Sequence, residues 1–143
     1  MSLEVSMPAY AHVFSFVGLK AGSDLELALL SEKGLPLTAV ESLKEQGLTF
    51  TEISDIVISP RTLKHRKSRK EKLSSVETDR VLRVARIVDL ADKVFGSRMK
   101  ALLWLRSADD RLENRTPMQM LVNESGGRLV ESMLWQIDEG IYT

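Results

Sequence analysis

Cysteine is missing from all 143 residues, so the chain has neither disulfide staples nor a thiol nucleophile, and this composition fits a reducing compartment. Histidine is scarce: His12 and His65 stand in different segments, and neither is spaced to a second ligand or a carboxylate. No metal cluster of recognisable form and no acid–base pair results. Long apolar runs are missing as well. The stretch 13–19 is too short to span a bilayer, and the acidic opening MSLEVS differs from the basic start of a secretion signal. No glycine-rich loop follows a strand as a phosphate cradle requires, and Asp109 and Asp110 beside Arg111 read as a solvated loop. These absences point away from an enzyme, a cofactor or metal protein and a membrane protein. They point toward a cytoplasmic protein that acts by binding.

What is present is an ordinary globular composition, 43% hydrophobic and 28% charged, in a chain long enough for one substantial core or two small ones. The formal net charge of +0 conceals an asymmetry. Before Pro60 the only Lys or Arg residues are Lys20, Lys33 and Lys44, against a larger set of Asp and Glu. Arg61, Lys64, Arg66, Lys67, Arg69, Lys70 and Lys72 then follow in one short stretch, opposed only by Glu71.

Helix start and stop signals recur along the chain. Ser23 to Glu26, Thr38 to Glu41, Thr49 to Glu52, Ser74 to Glu77 and Thr116 to Gln119 all have capping-box spacing, the last with Pro117 at the first helical position. Gly34, Gly47 and Gly96 are suited to end the segments before them. The longest candidate helix runs from the Ser74 signal to about Phe95. Its Val81, Leu82, Val84, Ala85, Val88, Ala91 and Val94 recur at three- and four-residue spacing and form a stripe for burial. An all-α fold is expected. Residues 10–17 fit a short strand or an irregular packing arm, so 1–23 stand as an unassigned N-terminal arm. The basic run 67–72 separates two helix groups, which places a domain boundary between 72 and 73.

Residues 48–70, LTFTEISDIVISPRTLKHRKSRK, fit a helix-turn-helix. Such a motif needs a small residue on its first helix, a tight turn and a second helix whose start carries side chains for base edges. Ser54 supplies the small residue between Ile53, Ile56 and Val57. Ser59 can cap the second helix, Pro60 can open it, and Leu63 can hold it inward. Arg61, Thr62, Lys64 and His65 then fall near its exposed start. Arg61 suits guanine O6 and N7, and Thr62 a base edge or a thymine methyl. Arg66, Lys67, Arg69 and Lys70 are placed for phosphates. A solvated basic helix end followed by a charged linker is the plainer alternative, and the turn Val57-Ile58-Ser59 lacks the glycine common in such turns.

RTLKHRK, LSSVETDRVLRVARIVDLADKVFG, ALLWL, TPMQML and ESGGRLVESMLWQIDEGIYT stand in an order and spacing that resembles the Xre/MbcA/ParS family of antitoxins, especially those paired with RES-domain toxins. GLPLTAVESLKEQGLT extends the resemblance upstream. Glu113, Asn114 and Arg115 replace a glycine pair of the family pattern, with Asn suited to positive φ. The resemblance implies a helix-turn-helix domain over 24–72 and a small helical toxin-binding domain over 73–143. It also implies an intracellular antitoxin that silences a NAD-consuming RES-type toxin and represses its own operon by binding operator DNA. NAD is then the toxin's substrate and not a cofactor of this chain. Operator half-sites favour a homodimer, or a higher hetero-oligomer with toxin.

On the last helix Leu129, Val130, Met133, Leu134 and Ile137 form an apolar face, with Trp135 further round. The plainer reading makes Trp135 and Ile137 simply core. The resemblance implies instead that the C-terminal portion covers the toxin's active-site cleft. Trp135 and Tyr142 then serve as aromatic anchors, and Glu139 or the carboxylate of Thr143 meets a basic nucleotide pocket. Gly140 releases the tail that Ile141 begins. A fraying tail is the alternative. Trp104, Met118 and Met120 read as core, and Gly126 and Gly127 as sites of close helix packing. The competing functions are a stand-alone regulator whose C-terminal domain only oligomerises, and a toxin-binding scaffold that no longer reads DNA.

Overall fold

The computed structural model describes residues 24–140. Among the described residues seven α-helices follow one another: α1 Asp24–Lys33, α2 Thr38–Glu45, α3 Phe50–Ile56, α4 Pro60–Arg69, α5 Ser75–Phe95, α6 Arg98–Leu105 and α7 Glu124–Asp138. Two short 3-10 turns, Asp110–Leu112 and Met118–Val122, connect the last two helices. The expected all-α fold is what forms, and no strand occurs among the described residues. The cap at Ser23 and the arm 1–23 lie outside the described residues.

The local signals explain most helix starts. Thr49 and Glu52 close a reciprocal capping box at α3, and Ser74 and Glu77 close another at α5. α5 ends at Phe95 because Gly96 takes the left-handed conformation at φ 80°. Thr38 behaves differently. The carbonyl of Pro36 already accepts from the Ala39 N–H, so α2 is entered one residue early and Thr38 is its first residue, with Leu37 as an N-cap that makes no side-chain bond. Thr116 and Gln119 do exchange the expected bonds. The segment they open is a 3-10 turn and not an α-helix, because Asn123 caps α7 only a few residues later.

α5 is the centre of the molecule. Val81, Val84, Ala85, Ile87, Val88 and Ala91 are all at 0% exposure, a wider buried surface than one stripe. The core is continuous from Leu35 and Val40 through α5 to Val130 and Leu134. Leu35 is pinned twice, its N–H donating to Thr78 Oγ1 at 3.0 Å and its carbonyl accepting from the Leu73 N–H at 2.9 Å. Thr78 is fully buried, and that bond satisfies its hydroxyl.

α7 docks by close approach at its first turn. A Cβ on Gly126 would lie 1.8 Å from the Met120 carbonyl oxygen, and one on Gly127 would lie 2.9 Å from the Arg83 side chain. The buried face therefore centres on Gly126, Val130, Met133 and Leu134. Leu129, expected on that face, is turned outward and 44% exposed. Between the 3-10 turns, Glu113 and Asn114 both adopt left-handed backbone, at φ 57° and 68°. Asn was expected there; Glu113 was not.

Two substitutions test this account. Gly126→Ala forces backbone apart and is expected to destabilise the protein by about 3 kcal/mol or prevent folding. Glu113→Gly relieves a left-handed residue and is expected to stabilise by about 1 kcal/mol. Thermal and denaturant unfolding read both, and equal effects from the two would contradict the assignment.

Candidate DNA-reading and partner-binding surfaces

α3 and α4 form a helix-turn-helix whose turn needs no glycine. Val57 and Ile58 are buried, their N–H groups both donate to the Ile53 carbonyl, and Val57 has φ −121°, so no left-handed residue is used. Ser59 caps α4 by accepting from the Thr62 N–H at 3.1 Å, and Pro60 opens the helix, both as its sequence requires. The Val57 carbonyl, left over at the turn, accepts from Arg80 of α5 at 3.4 Å.

α4 contains no fully buried residue, so other contacts must hold it. Leu63 packs partly buried against the core. Arg66 supplies the second anchor. Its Nε and Nη2 donate to the two oxygens of Glu77 at 2.7 and 3.0 Å, and its Nη1 donates to Glu71 at 3.1 Å. Glu77 is 8% exposed and also closes the α5 capping box through the Ser74 N–H. Burial alone would raise its carboxyl, but the Arg66 guanidinium and the Ser74 N–H together hold it below its ordinary value of 4.5. Arg66, expected on phosphate, thus has its guanidinium engaged inside the fold. Its spacing three residues beyond the inward Leu63 was the available signal.

Arg61, Lys64, His65, Lys67, Arg69 and Lys70 are exposed, and none has an ion-pair partner among the described residues. Thr62 is half-buried, its hydroxyl accepting from Ser59. Lys70 ends α4 in left-handed backbone at φ 57°, where glycine is ordinarily favoured. Five Lys and Arg side chains, with His65 among them, consequently line one exposed helix.

The first helix of the motif is braced from elsewhere in the chain. Glu52 accepts from Arg106 Nε at 2.6 Å and Nη2 at 2.9 Å, besides capping Thr49. Arg106 also donates to the Gly47 carbonyl at 2.8 Å. Burial acts to raise the Glu52 carboxyl, and the Arg106 and Thr49 hydrogen bonds outweigh it, leaving the group below its ordinary value.

At the other end, Trp135 on α7 is 48% exposed, so it is not the core residue of the plainer reading. Glu139 and Gly140 are exposed, with Gly140 left-handed at φ 76°. Ile141, Tyr142 and Thr143 lie outside the described residues. Trp104 is half-buried and packs its ring 5.7 Å from that of Phe95; Met118 is buried. No group of three or more metal-ligating side chains occurs among the described residues, and no helix there is long and apolar enough to cross a membrane.

Arg66→Gln is expected to cost about 2 kcal/mol at neutral pH, since it strands a buried carboxylate. Because Glu77 is held below 4.5, the pair stabilises fully above that pH and the contribution is lost as pH falls through the folded-state value. The gap between wild-type and variant unfolding midpoints is therefore expected to narrow at pH 3 relative to pH 7. A constant gap would contradict the pairing.

With both surfaces in view, comparison with known proteins is informative. The antitoxin Xre-like helix-turn-helix domain matches residues 26–86, and the antitoxin Xre/MbcA/ParS C-terminal toxin-binding domain matches residues 90–140. Antitoxin Xre of Pseudomonas putida is 40% identical over 118 residues, covering 82% of this chain and 74% of that protein. Antitoxin Xre of Photorhabdus laumondii is 32% identical over 130 residues, covering 87% and 86%. Antitoxin Xre of Yersinia enterocolitica is 26% identical over 141 residues, covering 98% and 88%. A helix-turn-helix domain followed by a toxin-binding domain, with relatives matched over most of their length, means that the chain belongs to the Xre family of antitoxins.

Proposed function

We propose that this chain neutralises a RES-domain toxin that degrades NAD, and that it represses its own operon by binding operator DNA. In this reading residues 24–72 serve DNA and residues 73–143 serve the toxin, with NAD the toxin's substrate. The chain acts in the cytoplasm by binding alone, as a homodimer or within a larger complex with toxin. The observation that carries the reading is the pairing of two exposed surfaces in one chain. α4 presents Arg61, Lys64, His65, Lys67, Arg69 and Lys70 within the helix-turn-helix match, and Trp135 stands half-exposed near the end of the toxin-binding match.

The chemistry suits both partners. Exposed cations on a helix that begins at a base-reading position favour a polyanion through counterion release. Arg61, in the first turn of α4, has the donor fork that guanine O6 and N7 accept. Lys67, Arg69 and Lys70, further along, bind phosphates without regard to sequence. An exposed indole is a ready anchor for a protein partner, since it buries much apolar area with few torsions to freeze. Trp135, Glu139 and the tail Ile141, Tyr142 and Thr143 enter or cover the toxin's cleft.

Two outcomes follow. Lys67→Ala is expected to weaken binding to all DNA sequences and to lower the salt slope by about one, whereas Arg61→Ala relaxes preference at one base pair; identical behaviour would overturn the division of roles. Removing residues 141–143 is expected to leave the unfolding midpoint unchanged while reducing protection of cells that express the toxin. Full protection by the truncated chain would overturn the tail's role.

A further inference from the structure

Phe50, the first residue of α3, is 62% exposed. The capping box there is closed by Thr49 and Glu52, so the fold does not use the Phe50 ring to start the helix. The ring lines a shallow groove together with Lys44, Ile58, Pro60 and Leu63. Two of those residues belong to α4, which puts Phe50 beside the first turns of the helix that carries the exposed cations. Lys64 follows Pro60 by four residues and Lys67 follows Leu63 by four, so both continue the same side of α4. Lys44 borders the groove from α2, its ammonium 3.5 Å from Glu41. The result is an apolar floor with a cationic rim, continuous with the exposed start of α4.

A cationic rim fits a polyanion and not an apolar protein segment. The major groove of DNA presents polar base edges and one apolar group, the thymine C5-methyl. We propose that Phe50 is a base-contacting residue, packing its ring on a thymine methyl at the edge of the site read by α4. The inference rests on the reading of α4 as the DNA-binding helix and adds a contact that this helix does not itself supply. Because the contact is uncharged, it gives sequence preference without displacing counterions.

The test uses the full-length chain and the promoter fragment of its own operon, with each thymine in turn replaced by uracil, which lacks only the methyl. Binding is read by fluorescence anisotropy across a salt series. At one thymine position, uracil is expected to weaken wild-type binding about fivefold or more. Phe50→Ala is expected to show the same loss on thymine DNA, the wild-type salt slope, and no further loss with uracil at that position. Phe50→Leu, which keeps an apolar group, is expected to lose less. Since the ring is exposed, the unfolding midpoint of either variant should match wild type. Wild-type affinity of Phe50→Ala, or losses from the variant and from uracil that multiply, would overturn the proposal. A smaller particle mass for Phe50→Ala in light scattering would also overturn it, because a second copy would then be what covers the ring. Failure of the wild-type chain to bind the promoter at all would defeat the reading of α4, and this contact with it; wild-type binding that Phe50→Ala leaves intact would defeat the contact alone.

Discussion

The burial of α5 constrains everything else in the molecule. A 21-residue helix spans roughly 30 Å, and one that is apolar on most sides must be enclosed by several partners to be stable. Here α1, α2, α6 and α7 all pack on it, and α4 is tied to its first turn through Arg66 and Glu77. Polar ties along its length set the orientation of each partner. Glu77 holds Arg66 of α4, Arg80 holds the turn carbonyl of Val57, and Arg83 donates to the Leu121 carbonyl at 3.2 Å and to Glu124 at 3.4 Å. The helix-turn-helix and the last helix of the toxin-binding domain are therefore set by one shared rod.

Two carboxylates do double duty in this arrangement. Glu52 and Glu77 each close a capping box and each accept two bonds from an arginine distant in sequence. A cap fixes where a helix begins; the added arginine fixes how that helix sits on the rest of the chain. The bidentate geometry strengthens both pairs, and the part-buried Arg66–Glu77 pair is less screened than exposed pairs, which contribute little. The remaining cations of α4 take no part in these ties, and that leaves them for a partner.

Features encoded within four residues were legible in the sequence. The boxes at Thr49 and Ser74, the Ser59-Pro60 start of α4 and the glycine stop of α5 depend on local backbone bonds, and they form as read. Where a neighbour intrudes, the local rule yields: Pro36 starts α2 before Thr38 can cap it, and the Asn123 cap leaves no room for an α-helix after Thr116. Tertiary partners were less visible. The engagement of Arg66 depends on Glu77, eleven residues away, and the outward turn of Leu129 and Trp135 depends on how Gly126 seats α7 against Met120. The family was legible from the order of several motifs together. None of them alone carried it.

We propose that this chain silences a NAD-degrading RES-domain toxin by binding it. The most direct measurement follows NAD consumption by a purified cognate RES-domain toxin while the chain is added in increasing amounts. The account predicts that consumption falls to the uncatalysed rate at a fixed molar ratio, with a sharp end point that marks a tight complex. Undiminished consumption with the chain in excess would contradict it.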